Sequence, residues 1–195
     1  MDALHLSLNP EADELLSRDS FALLSGMLLD QQIPMERAFA GPYVVAERLG
    51  DTDQLDPCQL ASMEIDAVIA LVAGPPAVHR YPKAMATRLH ALASMMCDEY
   101  SGNTALIWDG AEDGRDCLRR LKALPGFGDQ KARIFLALLL KTGRLPENLS
   151  GAADACSPYG DPGVHMSVAD VTGPESLDRV RVWKKQQKDA AKNKQ

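Results

Sequence analysis

The residues best placed to do chemistry lie in one short stretch, Arg119 to Arg133, reading RRLKALPGFGDQKAR. An apolar run ends at Leu124, Pro125, Gly126, Phe127 and Gly128 make a tight turn, and a new apolar run begins at once. Glycines at 126 and 128 admit backbone conformations closed to other residues and leave a partner's approach unobstructed. A helix that starts here presents unpaired amide donors at the positive end of its dipole, which is a ready phosphate site. Gln130, Lys131 and Arg133 follow in its first turns, where the cations would flank a bound phosphate. The same turn also suits an ordinary corner in which glycine closes one helix and Asp129 caps the next. The cationic surroundings, and the facing apolar sets Leu118, Leu121, Leu124 and Ile134, Phe135, Leu138, favour the phosphate-binding reading.

The net charge of −6 argues against a polyanionic partner, but its distribution argues for one. Residues 1–114 carry 6 cations against 18 acids, residues 115–144 carry 8 against 2, residues 145–178 carry 0 against 6, and residues 179–195 carry 7 against 1. A phosphate backbone responds to the local field of the two basic blocks. The C-terminal block comprises Arg179, Arg181, Lys184, Lys185, Lys188, Lys192 and Lys194. It either extends a phosphate footprint or forms a solubilising helix end.

The four cysteines, Cys58, Cys97, Cys117 and Cys156, form no CxxC pair and have no histidine nearby, which argues against zinc. The opening residues show no basic n-region, and no apolar run is long enough to span a bilayer. The expectation is a cytoplasmic protein with reduced thiols, no cofactor and no membrane partner.

The elements that must position the turn are helical throughout. Apolar residues recur at three and four from Pro10 to Leu49, with breaks expected at Pro34 and at Gly41-Pro42. Asp56-Pro57 reads as a helix start, running to Gly74. Further helices are expected over 82–100, 114–123 and 129–141, with a short run at 104–108 ended by Asp109-Gly110. Residues 142–173, with five glycines and three prolines, read as irregular. From Pro174 the chain returns to a helix whose end has few apolar anchors, and Trp183 reads as packing that helix on the body.

With these residues in place, the chain resembles the helix-hairpin-helix DNA glycosylase superfamily, close to an endonuclease III-like bacterial branch. Its hairpin motif is matched by Leu124, Pro125, Gly126, Phe127, Gly128 and Ala132. The segment SGMLLDQQIPMERAF resembles the superfamily's early helix, and His79 to Ala84 is a weaker match. The resemblance covers roughly residues 15–140 and implies an all-α, two-lobed helical bundle over residues 1–178, with a basic helix or tail over 179–195. It implies a nucleoid-associated monomer that binds double-stranded DNA through phosphate contacts at the hairpin, with a monovalent cation on carbonyls near Leu124 and Gly126. The target base leaves the stack for a cleft between the lobes, because the glycosidic bond is out of reach inside the duplex. By register, Gln32 borders the gap so left.

The family's amine nucleophile falls on Gln130 here, and Lys131 is turned about 100° further round the helix. A lyase reaction through a Schiff base is therefore not expected. Monofunctional members use an aspartate after a Gly/Pro-rich loop to stabilise charge on the sugar or orient water. In ungapped register that position is Asn148, and the first aspartate after Gly143 to Ala153 is Asp154, the candidate catalytic residue. The cysteine spacing excludes the iron-sulfur loop of several branches. The resemblance thus implies a monofunctional DNA N-glycosylase of base excision repair, a hydrolase, with a non-catalytic hairpin binder or lesion sensor as the alternative. The damaged base is not legible.

Overall fold

A computed structural model describes residues 3–192 of the chain, and among them every regular element is helical. The helices are α1 (Pro10–Arg18), α2 (Ser20–Leu29), α3 (Met35–Leu49), α4 (Pro57–Ser62), α5 (Ile65–Ala73) and α6 (Pro82–Tyr100). Then follow α7 (Leu106–Asp109), α8 (Gly114–Ala123), α9 (Asp129–Lys141), α10 (Ala152–Cys156), a 3-10 turn at Val168–Asp170, and α11 (Pro174–Lys192). No helix among the described residues is long and apolar enough to cross a membrane.

The helix α2 organises the rest. Nine of its residues, Phe21 to Leu29, are buried, so it is apolar on all sides and must be surrounded. It packs on α1, α3, α6 and α9. On one flank α4 and α5 lie against α6; on the other α8 and α10 lie against α9, with the 3-10 turn joining α9 to α11. Polar chain is therefore forced to the two ends of α2. Its N-terminus is capped by Asp19, and its C-terminus delivers Asp30, Gln31 and Gln32 to the surface.

Three local readings change. Gly41-Pro42 does not break the chain: α3 runs through both residues. Gly41 serves packing instead, since a Cβ there would sit 2.7 Å from Leu29 and 2.8 Å from Val78. The expected single helix from Asp56 to Gly74 is two, parted at Met63 and Glu64, with Asp56 capping the first by accepting the Cys58 amide at 2.8 Å. The expectation of four reduced thiols also fails. Cys58 on α4 and Cys97 on α6 form a disulfide with Cα atoms 5.1 Å apart, and only Cys117 and Cys156 are free, both buried. Separation by 39 residues hid a pairing that the packing of α4 on α6 creates. The C-terminal helix is continuous to Lys192; Lys194 lies outside the described residues.

Candidate functional site

The hairpin is built by α8 and α9 around buried Leu121, Leu124, Phe127 and Phe135, the two rings meeting edge-on at 6.1 Å. Asp113 caps α8 by accepting the Asp116 amide. The turn closes with the Phe127 amide on the Leu124 carbonyl at 3.1 Å. Gly126 has φ of +80°, and a Cβ there would meet Leu28 at 2.6 Å, so the turn can press against α2 only as glycine. Gly128 caps α9 without a side-chain bond and has open space around it. The first amides of α9 thus face outward with no side-chain acceptor, as a phosphate site requires.

The basic block around the hairpin is partly structural. Arg119 and Arg120 pair with Asp116, and Lys122 and Arg133 both pair with Asp129 at 2.8 Å. These cations hold the Asp129 carboxyl below its usual range. Arg133 also donates to the Ala155 carbonyl, Lys141 is bound to Asp170, and Arg144 reaches the Ser17 carbonyl. Arg115, Arg119 and Lys122 remain exposed along α8, with Lys122 nearest the turn.

An open cleft of about 700 Å³ lies where the C-terminus of α2 meets the start of α9. Its walls are Asp30 to Pro34; Gln130, Lys131 and Ile134 of α9; Tyr159 and Met166 of the 142–173 segment; and Trp183, Lys184 and Lys188 of α11. The α2 wall is held in an unusual backbone. The Gln31 amide bonds the Leu29 carbonyl at 2.7 Å, an inverse γ-turn centred on Asp30, and Gln32 has φ of +58°. A left-handed non-glycine residue is sparsely populated and persists only where its surroundings fix it. Here they do. The Gln31 side chain donates to the Leu28 carbonyl and accepts from Arg88 at 2.9 Å, and its carbonyl accepts from His79. His79 takes the Tyr81 amide on Nδ1, which leaves its proton on Nε2 for that bond. The His79 to Ala84 stretch therefore serves to brace the Gln31 loop.

Within the cleft Lys131 donates to the Leu28 carbonyl at 2.8 Å and lies 5.8 Å from the centre of the Phe127 ring. Burial lowers its ammonium to about 8, opposed by the charge of Asp30 and aided by Arg88. Asp30 is half-buried, and burial raises its carboxyl above the usual range against the pull of Lys184 and Lys131, with Glu36 adding to the rise. No side-chain hydrogen bond holds the Asp30 carboxylate among the described residues. Gln130 is exposed at the rim, donating to the Tyr159 hydroxyl at 3.0 Å.

Of the sequence-predicted residues, the structure brings together Gln32, Gln130 and Lys131 at the cleft, with Leu124 to Gly128 beside it. Arg133 turns to the outer face. Asp154 is not brought to the cleft. Short α10 buries Ala152, Ala155 and Cys156, which leaves Asp154 exposed on that outer face near Arg115, Arg119, Lys122 and Arg133. Trp183 is half-buried, with its side chain forming cleft wall as well as anchoring α11.

The residue that sequence reasoning missed is Asp30. Its signal was local: an aspartate ending a wholly apolar helix sits at the negative end of the dipole, where a carboxylate is disfavoured. Such a position suggests a task other than stability. Among the described residues no cluster of three or more His, Cys, Asp or Glu side chains is placed to hold a metal ion. Compared with family models, curated proteins and solved structures, the chain matches none.

Proposed function

We propose that this protein is a monofunctional DNA N-glycosylase with a helix-hairpin-helix fold, in which Asp30 is the catalytic carboxylate and Lys131 the proton donor. The observation that carries the reading is the open cleft holding Asp30 and Lys131 directly beside the uncapped start of α9. The α9 amides and Arg115, Arg119 and Lys122 hold the phosphate backbone. Gln32, projecting from its left-handed turn, fills the stack where a base has left. The base enters the cleft that Ile33, Ile134, Tyr159 and Trp183 line.

As the C1′–N bond breaks, its electron pair passes to the base and Lys131 supplies a proton to it. An ammonium near pH 8 is well matched to that transfer. The Asp30 carboxylate faces the positive charge growing on the sugar and then takes a proton from the water that adds at C1′. Asp30 takes the role expected of Asp154. The test is incubation with duplexes each bearing one damaged base, followed by alkali to reveal abasic sites.

The alternative is a hairpin DNA binder without chemistry. One observation favours it: Asp129 sits at the first position of α9 and ties up Lys122 and Arg133, so an anion already occupies part of the phosphate site. Salt-sensitive duplex binding without strand cleavage on any substrate would select that reading.

A further inference from the structure

The last nine residues of α11, Lys184 to Lys192, are all exposed, so this part of the helix projects past its anchors Leu177 and Val180. At 100° per residue, Arg181, Lys184, Lys185, Lys188 and Lys192 fall within about 100° of arc. That arc also contains the direction of Leu177, which is buried upstream. Of this cationic side, Lys184 and Lys188 line the cleft. A helix end that merely solubilises the chain would have no reason to place two of its lysines along the cleft. Arg181 fixes the rotation by pairing with Glu36 of α3 at 2.7 Å, while the four lysines form no ion pair among the described residues.

We infer that this lysine stripe is a second phosphate-binding element, gripping the DNA backbone on the side of the cleft opposite the hairpin. The inference rests on the DNA reading above. From Lys184 to Lys192 the stripe runs about 12 Å, equal to the rise along the duplex axis of about three to four phosphates of one strand. With the α9 amides on one wall and the stripe on the other, backbone is held on both sides of the base that enters. The hairpin fixes register, and the stripe adds affinity without reading sequence.

The experiment compares full-length protein with the Lys184→Gln, Lys185→Gln, Lys188→Gln, Lys192→Gln variant, titrated against a fluorescent duplex carrying a tetrahydrofuran abasic analogue over a series of salt concentrations. Glutamine matches lysine in helix propensity, and circular dichroism confirms the helix content. The expected result is a plot of log K against log salt shallower by about 3 and an affinity at least about tenfold weaker at low salt. Unchanged slope and affinity in the variant, with wild type binding in a salt-dependent manner, would overturn the stripe and leave the DNA reading intact. Wild type that binds no duplex at all would overturn both.

Discussion

The Nζ of Lys131, in the first turn of α9, lies 2.8 Å from the carbonyl oxygen of Leu28, in the last turn of α2. This bond ties the hairpin to the helix that ends in Asp30, and it holds a desolvated ammonium in the cleft. The proposed mechanism needs Asp30 ionised and Lys131 protonated. The rate should therefore fall as pH drops through the raised Asp30 value and fall again as pH rises through about 8. Lys184, Lys131 and Glu36 act on the first group, and Asp30 and Arg88 on the second. Lys131→Met should remove the alkaline limb and lower the maximum by about 100-fold or more. The unfolded chain keeps the lysine proton up to about 10.5, so wild-type stability should rise with pH between about 8 and 10.5. The variant should lose that rise and be no less stable at pH 7. A variant retaining the alkaline limb would remove Lys131 from the chemistry.

The two hairpin glycines should separate in their effects. Gly126→Ala combines a positive φ with a 2.6 Å clash on Leu28 and should cost about 2–4 kcal/mol in denaturant unfolding. Gly128→Ala, with φ of −87° and open surroundings, should change stability by only about 0.5 kcal/mol while weakening duplex binding severalfold. Equal losses of stability would contradict the assignment of Gly128 to the phosphate's path.

Asp129 competes with an incoming phosphate for Lys122 and Arg133. Asp129→Asn should therefore raise duplex affinity by about tenfold, at a small stability cost for the lost helix-terminal acid. Weaker binding in a fluorescence titration would show that the carboxylate orders the cations rather than blocking them.

The Cys58–Cys97 bond closes a 39-residue separation between α4 and α6. The Cys58→Ser, Cys97→Ser variant should be less stable by about 3–4 kcal/mol on the loop-entropy scale. Excision at 25 °C should persist, because the cleft is formed by other elements. An unchanged unfolding midpoint would count against this account of the bond.

The all-helical architecture was legible because long apolar periodicities, such as Met85 to Met96, and cap signals, such as Asp56-Pro57, act locally. The Pro42 position misled, because its flanking Gly41 reads as a turn and in fact makes room for Leu29 and Val78. The disulfide was hidden for a similar reason: sequence spacing carries no record of which helices pack. At the site, Gln32 was singled out by the resemblance and Lys131 and the turn by their types and order, and the structure places Gln32 and Lys131 at one cleft. Asp154 was chosen by counting along a loop, and counting cannot see that α10 turns it outward. Asp30 lay two residues from Gln32 and was passed over, although a carboxylate at the end of an apolar helix is a physical anomaly in its own right.

The assignment of Asp30 as the catalytic carboxylate is tested most directly by single-turnover excision with Asp30→Asn and Asp154→Asn side by side, on the damaged duplex that wild type cleaves after alkali. The account predicts that Asp30→Asn binds the duplex but loses at least about 100-fold in rate, with Asp154→Asn within about twofold of wild type. Full activity in Asp30→Asn, or its loss in Asp154→Asn alone, would contradict it.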